Sequence, residues 1–114
     1  MKSSIKLINH ASAKICVDGI SIISDPWYEG SVFHKGWKLI HELSVEETKK
    51  HLEKTDYIYV SHEHPDHFSP SFFFNKKYKA ILEKNKTKIL FQETKDKRVI
   101  NFLKKNGFET IEVP

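Results

Sequence analysis

Apolar and polar positions alternate at the start of the chain and divide it into short elements. Residues 4–9 (Ser-Ile-Lys-Leu-Ile-Asn) alternate apolar and polar, the pattern of a half-buried strand. After a turn at His10-Ala11-Ser12, residues 13–17 alternate again, and Asp18-Gly19 is a tight-turn signal before the apolar run 20–23. Residues 13–24 therefore predict a hairpin. Asp25-Pro26 stops the strand, because proline has no amide hydrogen for the ladder. Residues 25–43 show no period and carry Trp27, Tyr28, Phe33 and Trp37 beside Gly30 and Gly36, which reads as a long loop. Loops of that length tend to be functional.

The later elements alternate helix with strand. Ser44 and Glu47 are spaced as a capping box, which predicts a helix over 45–54. Residues 56–60 (Asp-Tyr-Ile-Tyr-Val) form a compact strand, and Ser69-Pro70 reads as an N-cap with proline at the first helical position. The helix that follows is expected to run through Glu83, although Phe72-Phe73-Phe74 interrupts its period. Residues 87–91 predict a strand, 96–106 a helix closed by Gly107, and 108–113 a last strand. Such an order indicates an α/β fold: a mixed sheet with an opening hairpin and packed crossover helices. No repeat or linker divides residues 1–114, so a single domain is expected.

Composition narrows the function classes. A chain of 114 residues with 39% hydrophobic and 12% aromatic residues can bury one continuous core. Its one cysteine, Cys16, excludes an intramolecular disulfide framework. No apolar run approaches the roughly 20 residues that span a bilayer, and the N-terminus has no secretory apolar region. A cytoplasmic protein without a membrane partner is the expectation. The net charge of +4 comes from lysines crowded in the second half. They interleave with Ile81, Leu82, Ile100, Phe102 and Leu103 at helical spacing, as on solvated helix faces. Arg98 is the single arginine, the residue type preferred for bidentate phosphate contacts, so nucleic-acid binding is not the favoured reading.

Candidate chemistry lies just after the 56–60 strand. His62-Glu63-His64-Pro65-Asp66-His67 places three imidazoles and a carboxylate within six residues. In extended backbone, positions i and i+2 share a face, so His62 and His64 can converge on one ion. Pro65 biases His64 toward the extended region and preorganises that pair. The chain must then turn, which lets Asp66 and His67 address a second ion. Imidazole and carboxylate donors suit zinc, and also manganese or iron. A small-molecule substrate of unspecified class is expected.

The spacing His62-x-His64-x-Asp66-His67 resembles the signature of the metallo-β-lactamase superfamily. Asn9-His10-Ala11-Ser12, Asp25-Pro26-Trp27, Gly30, Phe33 and Gly36-Trp37 add a finer likeness to the metallo-β-lactamase-like part of CMP-N-acetylneuraminate hydroxylases. A looser likeness reaches related lactonases and phospholipase-D-like hydrolases. The resemblance implies the N-terminal half of an αββα sandwich. It implies that His62 and His64 bind one divalent ion, and that Asp66 and His67 bind the second. Asp66 would also orient a metal-bridged hydroxide that attacks an ester, lactone or phosphodiester, which makes it the expected catalytic residue. Three departures shape the expectation. One cysteine cannot build the two-cysteine, two-histidine iron–sulfur centre of the hydroxylases. No histidine follows His67. One sheet with its helices would expose an apolar face that needs a partner.

The sequence thus leads to the expectation of a truncated, metallo-hydrolase-like half-domain whose independent activity is in doubt. A missing C-terminal half or a homo-oligomer would complete it. The alternative is a non-catalytic metal-binding or self-associating module. Around the motif, His10 can orient substrate, supply a substitute metal ligand or be an ordinary turn histidine. Asp25 can support a metal ligand from behind or simply cap the strand end. Trp27 and Trp37 can line a substrate mouth or pack the loop down. Ser61 is expected to bond the loop rather than attack anything.

Overall fold

The opening alternation becomes three antiparallel strands in a computed structural model that describes residues 3–28, 31–32, 37–39, 42–61 and 67–114, with backbone alone at 31, 32, 37 and 38. Strand β1 spans Ser3–Asn9, β2 Ser12–Val17 and β3 Ile20–Ser24. The β2–β3 turn places Asp18 at φ 49° and Gly19 at φ 83°. Positive φ at both central residues is what a two-residue turn needs to match strand twist, hence the Asp-Gly pair. Between Leu7 and Asn9 the β1–β2 register shifts, and His10 takes φ 39° in the turn that follows.

The stretch expected as a loop without regular structure contains a small second sheet. Strand β4 (Ser31–Val32) pairs antiparallel with β5 (Trp37–Lys38). Two-residue strands are too short to leave a period in the sequence. Helix α1 (Val45–Leu52) starts at the expected capping box: the Glu47 amide donates to Ser44 Oγ and the Ser44 amide to Glu47 Oε1, both at 3.1 Å. Strand β6 is Tyr57–Val60. The single helix expected after Pro70 is two: α2 (Pro70–Phe74) and α3 (Lys76–Asn85). Asn75 separates them because its backbone is extended and its side-chain oxygen caps the amides of Lys77 and Tyr78. Strand β7 (Lys88–Gln92), helix α4 (Arg98–Lys105) and strand β8 (Glu109–Val113) complete the chain.

The six long strands form one sheet in the order β1-β2-β3-β6-β7-β8. β1, β2 and β3 are antiparallel neighbours, and β3, β6, β7 and β8 run parallel. Parallel neighbours need long crossovers, which α1, the α2–α3 pair and α4 supply. Ile23, Ile58, Val60, Ile89 and Phe91 point from one sheet face into the core, where they join Leu52, Tyr78, Leu82, Ile100 and Leu103. Phe72 and Phe73 are buried there too, whereas Phe74 is 59% exposed, so the triple-Phe run faces both ways. Among the described residues the opposite sheet face carries no helix: Ile5, Leu7 and Ile20 stand 73%, 82% and 52% exposed on it. Among the described residues, no helix is long and apolar enough to cross a membrane.

Candidate functional site

The β3 and β6 strands are parallel neighbours with Ser24 opposite Tyr59, so their carboxyl ends stop side by side. In open α/β sheets that is where ligands bind. Asp25 leaves β3 there, and its amide continues the ladder by donating to the Tyr59 carbonyl at 2.8 Å. It holds φ 38°, a left-handed conformation that aspartate tolerates better than most side chains. The turn drives its carboxylate beneath the segment leaving β6.

That carboxylate is 5% exposed at the residue level and engaged on both oxygens. Oδ1 accepts the Ser61 amide at 2.6 Å, and Oδ2 accepts the Ser61 hydroxyl at 2.8 Å. Oδ2 also lies 2.9 Å from His67 Nδ1, and Ser61 Oγ is 3.3 Å from the same nitrogen. Asp25 thereby fastens both flanks of the histidine-rich segment, Ser61 before it and His67 after it. With Nδ1 engaged by a carboxylate, Nε2 is the nitrogen that would address an ion. A carboxylate behind a histidine fixes its orientation and raises its basicity toward a metal. The donor chemistry at His67 therefore fits a divalent cation.

His10 and Trp27 close in on the same corner. The His10 ring meets Trp27 edge-on with centroids 5.1 Å apart, and lies 6.1 Å from the His67 ring. Asn9 Oδ1 accepts the His10 amide at 3.0 Å, which supports the left-handed turn. Trp27 is only 2% exposed, so its surface is spent on packing rather than presented as an open wall. Below it, Tyr28 shares a 2.7 Å hydrogen bond with Ser12. Burial pushes the Tyr28 phenol far above its ordinary range, with the bond to Ser12 opposing and Asp25 adding slightly, so the hydroxyl stays protonated.

His62, His64 and Asp66 lie outside the described residues, as does the side chain of Trp37. Of the expected site residues, His10, Asp25, Trp27 and His67 come together at one corner of the sheet. Among the described residues no group of three or more histidine, cysteine or acidic side chains gathers around a common point. The Ser12–Tyr28 bond had no sequence signal, since nothing local links positions 16 residues apart.

No family model matches the chain. A cytidine monophosphate-N-acetylneuraminic acid hydroxylase from Asterias rubens is 37% identical over 65 residues, which cover 57% of this chain and 10% of that protein. The chain spans about a tenth of the length of the curated relatives it matches. A metallo hydrolase from the archaeon Ignicoccus hospitalis superposes with a TM-score of 0.62 at 20% identity, over 98% of this chain and 40% of that one. A possible metal-dependent hydrolase from Veillonella parvula superposes with a TM-score of 0.57 at 17% identity, over 97% of this chain and 41% of that one. The fold is metallo-β-lactamase-like, and nearly the whole chain corresponds to less than half of each of these two solved chains.

Proposed function

We propose that the chain carries part of a hydrolytic divalent-metal centre. In this reading His62 and His64 hold one ion, Asp66 and His67 a second, and zinc is favoured over manganese or iron. The clamp of Asp25 on His67 Nδ1 and on Ser61 is the observation that carries the reading. A buried carboxylate that orients a histidine next to a metal-ligand sequence has a clear use there. Such an ion lowers the pKa of water toward about 7 and polarises an electrophile, which serves hydrolysis of an ester, lactone or phosphodiester. The residues of the chain do the rest. Asp25 fixes the ring of His67, Ser61 fixes Asp25, Asp66 orients the nucleophile, and His10 borders the corner where a small-molecule substrate would sit.

No histidine follows His67 in the 114 residues, so a further imidazole ligand would come from upstream, as His10 at the same corner could, or from outside these residues. A catalytic site usually has three protein ligands per metal, and this segment offers two per ion. That ratio also supports a second reading, a metal-binding module without turnover. A cytoplasmic setting fits the lone Cys16.

Elemental analysis after loading with zinc, manganese or iron, alongside an ester, lactone and phosphodiester screen, tests the proposal. Bound metal that disappears in His62→Ala, with any hydrolysis disappearing too, is expected. A protein that stays metal-free after loading contradicts it. Bound metal without hydrolysis selects the second reading.

A further inference from the structure

Phe72 and Phe73 of α2 are buried, but Phe74 beside them is the most exposed large apolar side chain among the described helix residues. Its ring meets Phe102 of α4 edge-on at 5.1 Å, and Phe102 meets Phe68 in the same way at 5.5 Å. Phe68 is buried and packs on Phe73 in turn. Phe74 is therefore a protruding ring held on a stack of aromatics that reaches the core. The charge around it is one-sided. Neither residues 67–82 nor residues 97–108 contain an aspartate or glutamate, while together they hold six lysines and the single arginine. Lys76 and Lys77 follow Phe74 with only Asn75 between, and Arg98 and Lys105 lie one turn to either side of Phe102. All four are exposed. Asp96 offsets Arg98 at 2.6 Å, so lysines carry the excess charge.

We propose that this aromatic–lysine surface rests on an anionic membrane, with Phe74 inserted at the boundary of headgroups and acyl chains and the lysines over the headgroups. Two features favour a lipid surface over a protein or a nucleic acid. A protruding ring enters a soft interface directly, whereas a folded partner would have to supply a matching pocket. Lysines suit the diffuse negative potential of a lipid surface, whereas bidentate phosphate recognition favours arginine, and the one arginine here already faces Asp96. The expectation of no membrane partner rests on the lack of a spanning run. A protein that lies on a bilayer needs none, because apolar insertion and charge act together to hold it. The inference stands apart from the metal reading, because vesicle binding is measured on the metal-free chain.

Cosedimentation with vesicles of phosphatidylcholine that contain about 30% phosphatidylserine, set against vesicles of phosphatidylcholine alone, is the test. Binding to the anionic vesicles is expected to be at least about tenfold stronger than to the neutral ones, and to weaken with added salt. Phe74→Ser should weaken it roughly tenfold through lost insertion. Lys76→Gln with Lys77→Gln should weaken it by at least about tenfold through lost charge, with unchanged circular dichroism in each variant. Leu7→Ser, on the outer sheet face, should leave binding as it is, which separates this surface from the apolar sheet. No vesicle binding, equal binding to both kinds of vesicle, or a loss with Leu7→Ser but not with Phe74→Ser overturns the inference. Tighter binding to single-stranded RNA than to the anionic vesicles would assign the surface to nucleic acid and overturn it as well.

Discussion

The two halves of the sheet use the same alternation with opposite results. In the parallel half, Ile58, Val60, Ile89 and Phe91 point toward the helices and are almost completely buried. In the antiparallel half, Ile5, Leu7, Ile15 and Val17 of β1 and β2 point the other way, and the helix-facing positions include Lys6 and Lys14. Lys6 and Lys14 sit directly opposite one another, a costly cross-strand pair. Part of that cost is offset because Lys14 Nζ donates to the carbonyls of His51 and Glu53 at the end of α1, at 2.9 and 3.0 Å. Cations suit helix C-termini. The lesson is that period marks a strand, but only pairing decides which layer its apolar side serves. The parallel half is built for the helices of this chain. The hairpin is built for something beyond them.

The sharpest way to break this contrast is to truncate one aliphatic side chain in each half. Ile58→Ala removes a fully buried side chain and should cost about 2–5 kcal/mol of unfolding free energy in urea denaturation. Leu7→Ala, at an 82% exposed position, should stay within about 0.5 kcal/mol in the same assay. Comparable losses at both positions would mean that the hairpin has its own buried core. Next in size is the helix layer. Ser44→Ala removes one arm of the α1 capping box and should cost about 1 kcal/mol in the same assay.

The smallest effect probes the lysines under α1. Partial burial, then Lys6 and Lys14, lower the pKa of His51 below its ordinary value, with Glu47 opposing. A histidine with a depressed folded pKa binds fewer protons folded than unfolded. Its contribution to stability is therefore present above the unfolded value and lost as pH falls through that value toward the folded one. In an NMR titration Lys6→Gln should move the His51 midpoint upward; no movement would show that the lysine charges do not reach the helix end.

Much of this fold was legible because its signals are local. The Asp-Gly turn, the Ser44–Glu47 box and the alternating runs each act within a few residues, and each element lies within a few positions of where its residues indicate. The β4–β5 pair was not legible because two-residue strands carry no period. The break at Asn75 was hidden because aromatics before it and lysines after it read as one helix, while one asparagine side chain decides where a new helix begins. The site splits along the same line. The histidine-rich segment is contiguous in sequence, so its donor chemistry could be read directly. For its support the sequence offered Asp25 and Ser61 but not their pairing: Asp25 reaches Ser61 across 36 positions and His67 across 42. That link exists only because β3 and β6 end side by side.

A calorimetric titration of zinc into the metal-free chain and into Asp25→Asn tests the central claim most directly. Asn keeps the shape of the side chain but not the charge that orients His67. The expected result is binding to the parent chain and roughly 10–100-fold weaker binding to the variant, with folding retained by circular dichroism. No zinc uptake by the parent chain, or equal affinity in the folded variant, would contradict a metal centre organised by Asp25.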